Sequence, residues 1–417
     1  MSKTIFFSVG EPSGDLHGAN LISALKNANS DLEFTGFGGP KMEAAGCRLQ
    51  FDLTQLAVMW ILAVVVNIHK FFRLLKQADN YFRTERPDAV VLIDYPGFNW
   101  WIARRAKAHN IPVIYYGTPQ LWAWAPWRVA KMRKFVDHVL CKLPFEEKWF
   151  QERDCNATFV GHPYFDELAE RKIDEGLVAS LRSPDSTEQS SRLVTILPGS
   201  RNQEVVSNLP AMLRVAIAVK ERIPTTRFAI ASFNMKQAIK ARELLQDSGL
   251  DIEVRVNCTP ELIEAADICL ACSGSVSLEL LYHAKPTIVY YQVSRWAYWI
   301  QDKIRIARYI TLTNLLDADR ISRKVGENHD PDAINAVRLP MPEYLVCEDR
   351  SAKIAARVID WLESEEIRQR KIEELRNLRD RFAHPGASQR AADYITGVLG
   401  FAKEAAVESH SIARKSA

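Results

Sequence analysis

The stretch that decides the fold is Ser8-Val9-Gly10-Glu11-Pro12-Ser13-Gly14-Asp15-Leu16-His17-Gly18-Ala19. It follows an apolar run, residues 5–7, that predicts a buried strand, and it leads into residues 20–26, which predict a helix. A glycine-rich turn between a strand and a helix places backbone N–H groups at a helix N-terminus, where anionic or sugar ligands bind. The turn lacks both G-x-G-x-x-G and a following G-K-[ST], so it is neither a dinucleotide fingerprint nor a P-loop. Tight packing explains such turns about as often as ligand binding does, but the clustered polar residues Glu11, Ser13 and Asp15 favour a site.

The composition is that of a globular protein with room for two domains: 417 residues, 47% hydrophobic and 25% charged. A net charge of +3 is too small to indicate nucleic-acid binding, and no nucleic-acid partner is expected. Seven scattered cysteines are typical of a reducing cytosol. The longest apolar run, residues 56–66, is shorter than the roughly 20 residues that cross a bilayer, and no secretory signal is visible.

Two series of apolar segments alternate with amphipathic helical patterns, which predicts parallel α/β sheets. The predicted strands are Ile5–Val9, Glu33–Phe37, Ala89–Ile93, Val113–Tyr116, His138–Cys141 and Thr158–Val160, then Leu193–Leu197, Arg227–Ala231, Glu253–Val256, Ile268–Ala271 and Thr287–Tyr291. We therefore predict two doubly wound, Rossmann-like domains that face a cleft. The predicted boundaries are an N-terminal domain over 1–170, a linker over 171–190, a C-terminal domain over 191–380, and a final helix with a polar tail over 381–417. That last segment packs either on the N-terminal domain or on a partner subunit.

Residues 56–76 carry apolar side chains at helical spacing, with a polar stripe opposite. On the pattern alone a core-facing helix is favoured. The alternative is a helix at a membrane surface, because Trp60, two phenylalanines and several cations are concentrated there.

Three further turns could carry chemistry. Asp94 ends the strand Ala89–Ile93 and is a candidate proton acceptor, or else an Asx-turn. Arg201 follows Gly199 and Ser200, and the N–H donors of its guanidinium suit a diphosphate. The alternative is an Arg201 side chain that pairs with Glu204 on the surface.

The third turn, Ser273-Gly274-Ser275, would present N–H and hydroxyl groups at a helix start. Glu279 lies one turn further, within reach of a ribose, although a capping residue is equally expected there. The segments 311–316 and 341–345 are predicted to be loops. No DxD pair is placed to hold a metal, and no cofactor is expected.

Ordered motifs from the first strand to about residue 395 carry a family resemblance. They are Gly10–Asp15, Phe37–Met42 with Gly46-Cys47, Leu56–Met59, Ile93–Asn99, Trp122–Trp124, Leu143–Glu146 with Gly161–Pro163, Leu197–Val205, Ser273–Ser275 with Leu278-Glu279, and Thr313–Leu316. On these motifs the chain resembles the lipid-A-disaccharide synthase family, which are inverting, metal-independent glycosyltransferases of the GT-B architecture.

The resemblance implies the transfer of 2,3-diacylglucosamine from UDP to the 6-hydroxyl of 2,3-diacylglucosamine 1-phosphate (lipid X). It implies Asp94 as general base, Arg201 at the diphosphate and Asn314 as a third residue needed for activity. The implied substrate-binding residues are Glu11, Ser13, Gly14, Asp15, Gly199, Ser200, Ser273, Gly274, Ser275, Glu279 and Glu343. It also implies a cytoplasmic enzyme bound peripherally to the inner face of the inner membrane through residues 56–76, and a homodimer as one assembly.

Departures from the family pattern at Trp60, Gly97 and Thr313 bear more on acyl preference and nucleotide fit than on reaction type. Two other functions remain open at this point. One is a GT-B enzyme acting on a soluble UDP-sugar, such as a UDP-N-acetylglucosamine 2-epimerase. The other is a non-catalytic nucleotide-sugar binding protein.

Overall fold

A computed structural model describes residues 2–57, 68–183, 191–324, 327 and 329–401. The chain forms two units. Within the described residues, unit 1 comprises the chain up to Leu121, Ala125–Asp166 and everything from Pro385 onward. Unit 2 comprises Trp122–Trp124 and Glu167–His384.

Unit 1 is built on a seven-stranded parallel sheet in the order β3-β2-β1-β4-β5-β6-β7. Its strands are β1 Lys3–Val9, β2 Leu32–Gly38, β3 Arg48–Asp52, β4 Ala89–Ile93, β5 Val113–Tyr116, β6 His138–Cys141 and β7 Ala157–Phe159. Every residue of β4 and β5 is buried, as expected for parallel strands covered by helices on both faces.

The helices of unit 1 separate these strands. They are Pro12–Ala28, Pro40–Ala44, Thr54–Ala57, Ile68–Thr84, Pro96–Ala108, Val129–Phe135, Pro144–Gln151 and Ala387–Val398, with a 3-10 turn at Pro126–Arg128. Two more helices, Leu121–Trp124 and Tyr164–Glu170, each contain a point at which the chain leaves one unit and enters the other.

Unit 2 contains a six-stranded parallel sheet in the order β10-β9-β8-β11-β12-β13. Its strands are β8 Leu193–Leu197, β9 Arg227–Ser232, β10 Glu253–Val256, β11 Ile268–Ala271, β12 Thr287–Gln292 and β13 Glu343–Val346. Its helices are Glu175–Arg182, Asn202–Arg222, Met235–Gln246, Thr259–Ala265, Val276–Tyr282, Arg295–Ile304, Leu312–Leu316, Ser351–Glu363 and Glu365–Phe382.

Each sheet therefore has one place where the strand order reverses direction, between β1 and β4 in unit 1 and between β8 and β11 in unit 2. Val9 is in register with Ile93, and Leu197 is in register with Ala271. Open α/β sheets bind ligands just beyond the strand ends at such reversals. The predicted α/β class with two doubly wound parallel sheets is confirmed.

The structure corrects several local predictions. β3 and β13 were not expected, and residues 341–345, predicted to be a loop, instead contribute most of β13. Residues 312–316, also predicted to be loop, form a short helix. These segments are short and their neighbours in the chain include turn residues, so their structure depends on contacts distant in sequence.

Part of the segment 171–190, predicted to be a linker, is helical. Asp174 accepts a hydrogen bond from the Leu177 N–H at the start of the helix Glu175–Arg182. Val178 and Leu181 are buried, so this helix is held by packing as well as by its cap.

The helix Ala387–Val398 belongs to unit 1. Asp166 accepts hydrogen bonds from the N–H groups of Gly386, Ala387 and Ser388 at its N-terminus. Its residues Ala391, Ala392 and Ile395, with Leu399 just after its end, share one hydrophobic cluster with β1 side chains such as Ile5. The tail after residue 401 lies outside the described residues.

Of the predicted helical pattern over 56–76, residues 58–67 lie outside the described residues. The helix Ile68–Thr84 buries Leu74, Leu75 and Ala78 against the core of unit 1 and exposes Ile68 and Phe72. None of the described helices combines the length with the apolar character that a membrane span requires.

Candidate active site

In unit 1 the predicted acidic residue Asp94 lies at the β1–β4 reversal. Asp94 and Tyr95 both adopt positive φ angles, 45° and 42°, in the turn between β4 and the helix Pro96–Ala108. Non-glycine residues rarely adopt this conformation, and it concentrates at functional sites. The chain therefore holds Asp94 in a conformation that needs support from its surroundings.

Two buried side chains provide that support. Asn99 donates to the carbonyl oxygens of Asp94, at 2.9 Å, and Ser8, at 3.1 Å, and its Oδ1 accepts from the Ser8 hydroxyl at 2.7 Å. The Tyr115 hydroxyl donates to the Asp94 carbonyl at 2.6 Å. Asn99 thus connects the turn that follows β4 with strand β1.

The Asp94 carboxylate pairs with a lysine that the sequence analysis did not single out. Lys142 Nζ lies 3.0 Å from Asp94 Oδ1, and both side chains are largely buried. Burial alone would lower the pKa of Lys142, but the carboxylates of Asp94 and Glu146 together raise it above its usual value. In the part of the chain that the structure describes, no hydrogen bond engages Asp94 Oδ2, so this oxygen is left for another partner.

The glycine-rich first turn lies against Asp94, as the parallel pairing of β1 and β4 requires. A side-chain carbon at Gly14 would come within 2.9 Å of Val9 Cγ1 and 4.0 Å of Asp94 Oδ2. Only glycine fits this position without displacing its neighbours. Glu11 and Ser13 are exposed at the start of the following helix.

Asp15 has a structural role in this arrangement. Its carboxylate accepts hydrogen bonds from the N–H groups of Gly39, Lys41 and Met42, at 2.9 to 3.1 Å, and only 3% of the residue is exposed. The prediction that Asp15 contacts substrate is therefore not supported by its geometry, because both of its oxygens already hold the helix Pro40–Ala44.

Two histidines lie near this ion pair. His17 and His162 have ring centroids 6.5 Å apart. Burial, followed by the positive charge of Lys142, lowers the pKa of His17 to about 4 and holds the pKa of His162 well below its usual value. Both rings are therefore neutral at pH 7 and add no positive charge to the surroundings of Asp94.

In unit 2, Arg201 follows β8 with 78% of its side chain exposed. Its guanidinium pairs with Glu204 Oε1 at 2.9 Å, which is the surface pairing that the sequence left open as an alternative. Glu204 Oε2 accepts from the N–H groups of Ser200 and Arg201, at 2.9 and 3.1 Å. Gly199 has a φ of 133°, and a side-chain carbon there would come within 2.5 Å of Glu204. The N–H groups that would form an anion nest are thus occupied by a carboxylate of the chain itself.

The Ser273–Ser275 turn follows β11, next to the Arg201 turn. The Ser273 hydroxyl donates to the carbonyl of Ile310 at 2.8 Å, whereas Gly274 and Ser275 are exposed. Glu279, predicted to meet a ribose, is buried and pairs with Arg171. A ribose hydroxyl would have to share this carboxylate with Arg171.

Asn314 and Glu343 form a buried network. Asn314 is fully buried; it donates to Met341 O at 2.7 Å and Glu343 Oε2 at 2.9 Å, and it accepts from Met341 N at 3.1 Å. Glu343 also accepts from the N–H groups of Ile310 and Thr311. Burial raises the pKa of Glu343, and these hydrogen bonds oppose the rise.

The expected catalytic role of Asn314 and substrate-binding role of Glu343 therefore find no direct support. Their polar atoms are already engaged in holding the helix Leu312–Leu316 on β13. Through Ile310 this network also fixes Ser273, so it positions the turn after β11.

Comparison with known proteins identifies the family. Residues 5–375 match the family model for lipid-A-disaccharide synthetase. The chain belongs to the lipid-A-disaccharide synthase family. It is therefore a glycosyltransferase of lipid A biosynthesis. The family membership does not favour the 2-epimerase alternative.

Relatives match over nearly their whole length. A lipid-A-disaccharide synthase from Syntrophus aciditrophicus is 32% identical over 94% of this chain and 96% of its own. Another, from Coxiella burnetii strain CbuG_Q212, is 30% identical over 95% of this chain and 99% of its own.

Solved structures share the fold of this synthase family member at low identity. An MnaA–UDP co-structure from S. aureus has a TM-score of 0.61 at 12% identity, covering 96% of this chain and 98% of that chain. MurG from Acinetobacter baumannii has a TM-score of 0.56 at 12% identity, covering 95% of this chain and 100% of that chain. These similarities place the chain in the GT-B fold.

Within the described ranges, no group of three or more His, Cys, Asp or Glu side chains is arranged to hold a metal ion.

Proposed function

We propose that this protein transfers 2,3-diacylglucosamine from its UDP carrier to the 6-hydroxyl of 2,3-diacylglucosamine 1-phosphate. The products would be the β-1,6-linked disaccharide 1-phosphate and UDP. The observation that carries the proposal is the family match over residues 5–375, and the position of Asp94 at the β1–β4 reversal supports it.

In this proposal Asp94 is the general base. Oδ2 accepts the proton of the 6-hydroxyl, while Lys142 holds Oδ1 and so fixes the direction in which Oδ2 points. The acceptor oxygen then forms a bond to the anomeric carbon of the donor, and the bond from that carbon to the diphosphate breaks on the opposite side. This displacement inverts the anomeric configuration from α to β.

Arg201 would meet the negative charge that develops on the diphosphate. Since Glu204 now occupies both the guanidinium and the neighbouring N–H groups, the diphosphate must displace this carboxylate from at least one of them. The exposed side chain of Arg201 can turn without disturbing the core. Gly199, Ser200, Gly274 and Ser275 would line the same edge of the unit 2 sheet.

Because both substrates carry acyl chains, we also propose peripheral contact with the cytoplasmic face of the inner membrane through residues 56–76. In the described part of this segment, Ile68 and Phe72 are exposed one helical turn apart, beside the exposed cations Lys70 and Arg73. A homodimer remains a proposal that a mass measurement of the purified protein tests.

A transfer assay tests the function. Radiolabelled UDP-2,3-diacylglucosamine and lipid X are incubated with the purified protein in detergent, and UDP-N-acetylglucosamine is supplied alone in a parallel reaction. A labelled disaccharide supports the proposal. Folded protein that binds UDP but yields no disaccharide overturns it, and epimerised sugar in the parallel reaction would instead establish the soluble-substrate alternative.

A further inference from the structure

The helix Arg295–Ile304 of unit 2 presents its apolar side to solvent. Trp296 is 76% exposed and Trp299 is 56% exposed, and Ile300 and Ile304 are exposed as well. These four residues, spaced by three, one and four positions, share one face of the helix, which we name the Trp296 face. None of the ten residues of this helix is buried.

Polar contacts help to hold the opposite side of this helix on unit 2. Asp302 pairs with Arg323 at 2.8 Å, and the buried Arg323 also donates to the carbonyls of Asp302 and Arg305. The Ser294 hydroxyl accepts from Ala297 N and caps the first turn. The most exposed side chains of this helix are thus apolar, whereas an amphipathic surface helix usually turns its polar side to solvent.

The two exposed charged residues of this helix are both positive. Arg295 and Lys303 are exposed at the two ends of the helix. Its one acidic residue, Asp302, is neutralised by Arg323 and lies 3.8 Å from Lys303. Tryptophan, aliphatic residues and flanking cations are the composition that favours the boundary between lipid headgroups and acyl chains.

We propose that the Trp296 face docks on an anionic phospholipid bilayer, so that unit 2 has its own membrane contact in addition to residues 56–76 of unit 1. A second copy of the chain is a poorer partner for this face. A two-fold interface would bring Arg295 and Lys303 of one copy close to the same cations of the other, with no acidic side chain of the helix free to balance them. The inference rests on the proposed function only in that acylated substrates require access to a bilayer.

Vesicle binding tests the proposal on the full chain. The face variant carries Trp296→Ser, Trp299→Ser and Ile300→Ser. The matched control carries Ile334→Ser and Val337→Ser, which remove two exposed apolar side chains elsewhere in unit 2. Partition is measured by sedimentation with vesicles of phosphatidylethanolamine and phosphatidylglycerol, and with vesicles of phosphatidylcholine alone.

We expect the face variant to bind the anionic vesicles at least about tenfold more weakly than the wild type, and the control to bind as the wild type does. A third variant, Lys303→Glu, is expected to lose about fivefold on anionic vesicles and little on phosphatidylcholine. Equal partition of the face variant and the wild type overturns the proposal. Loss of a dimer by light scattering in the face variant, without loss of vesicle binding, also overturns it and identifies a second copy as the partner.

Disaccharide synthesis in detergent separates this inference from the proposed function. Retained synthesis by the face variant, with weakened vesicle binding, supports the docking surface and shows that the variant is folded. If the wild type makes no disaccharide, and the face variant loses vesicle binding while the control variant keeps it, the docking surface is supported and the proposed function is contradicted.

Discussion

The ammonium of Lys142 lies 3.0 Å from Oδ1 of Asp94, joining the ends of β6 and β4 across the intervening strand β5. This ion pair engages one carboxylate oxygen and leaves the other without a hydrogen bond among the described residues. A carboxylate that acts as a general base is favoured by this arrangement. The contact to Oδ1 fixes the side chain, so that Oδ2 keeps one orientation toward the hydroxyl whose proton it accepts. Lys142 is therefore a positioning residue in our account.

Replacing Lys142 tests that role. Lys142→Met removes the ion pair and should lower kcat by about 10- to 100-fold, since the carboxylate is no longer held in place. The KM for the UDP donor should change little. Lys142→Arg should restore part of kcat, because a guanidinium can still donate to Oδ1. Steady-state kinetics that show a rise in KM alone, with kcat unchanged in both variants, would contradict this role.

Replacing Arg201 should reduce activity without changing the stability of the fold. Its side chain is exposed and its ion pair with Glu204 is a surface pair, so Arg201→Ala should leave the urea midpoint unchanged. If the guanidinium meets the diphosphate, kcat/KM should fall by about 10²- to 10³-fold. Arg222→Ala is the matched control, since Arg222 is also an exposed arginine paired with one glutamate, Glu363. Equal activity of the two variants would argue against a role for Arg201.

Replacing Asn314, unlike replacing Arg201, should reduce the stability of the fold as well as activity. Asn314→Ala leaves the carbonyl and N–H of Met341 without their buried side-chain partner and removes one of the two hydrogen bonds to Glu343 Oε2, which keeps the one from the Thr311 N–H. The free energy of unfolding should fall by about 2 to 3 kcal/mol. Activity should be lost through the displaced turn after β11. Denaturation that shows full stability together with loss of activity would instead make Asn314 a residue that contacts substrate.

The pKa of His17, lowered to about 4 by burial, predicts a dependence of stability on pH. The unfolded chain takes up a proton near pH 6.5, whereas the folded chain does so only near pH 4, so lowering the pH through this window favours unfolding. Between pH 7 and pH 5 this group alone should reduce the free energy of unfolding by about 2 kcal/mol.

The matched variant is His17→Gln, which cannot titrate and leaves His162 in place. Urea unfolding of both proteins at pH 7 and pH 5 should show a smaller loss of stability in the variant. Identical losses in the two proteins would mean that His17 is protonated as easily in the folded protein as in the unfolded chain.

Local patterns in the sequence predicted most of the fold and the candidate residues near the strand ends. The apolar run before Gly10 and the run before Asp94 both read as buried parallel strands, and parallel strands bring their C-terminal ends to one edge of a sheet. The proximity of Gly14 to Asp94 follows from that rule. The Arg201 and Ser273 turns are neighbours for the same reason, since β8 pairs with β11.

Other features depend on contacts that no local pattern specifies. Lys142 reaches Asp94 because β6 lies two strands from β4, and nothing near Lys142 in the chain indicates this partner. In the sequence Asp15 groups with Glu11 and Ser13, yet its carboxylate accepts hydrogen bonds from residues 39–42. Glu343 lies on a strand too short to be recognised, and its buried hydrogen bonds are made to residues about 30 positions away.

The most direct test of the account is a comparison of wild type and Asp94→Asn in single-turnover transfer from UDP-2,3-diacylglucosamine to lipid X, with UDP affinity measured on the same samples. Asparagine matches the size of aspartate and can still accept a hydrogen bond from Lys142, but it cannot take up the acceptor proton. We predict a rate at least about 10³-fold lower with unchanged UDP affinity. A rate within about tenfold of the wild type would contradict the assignment of Asp94 as general base.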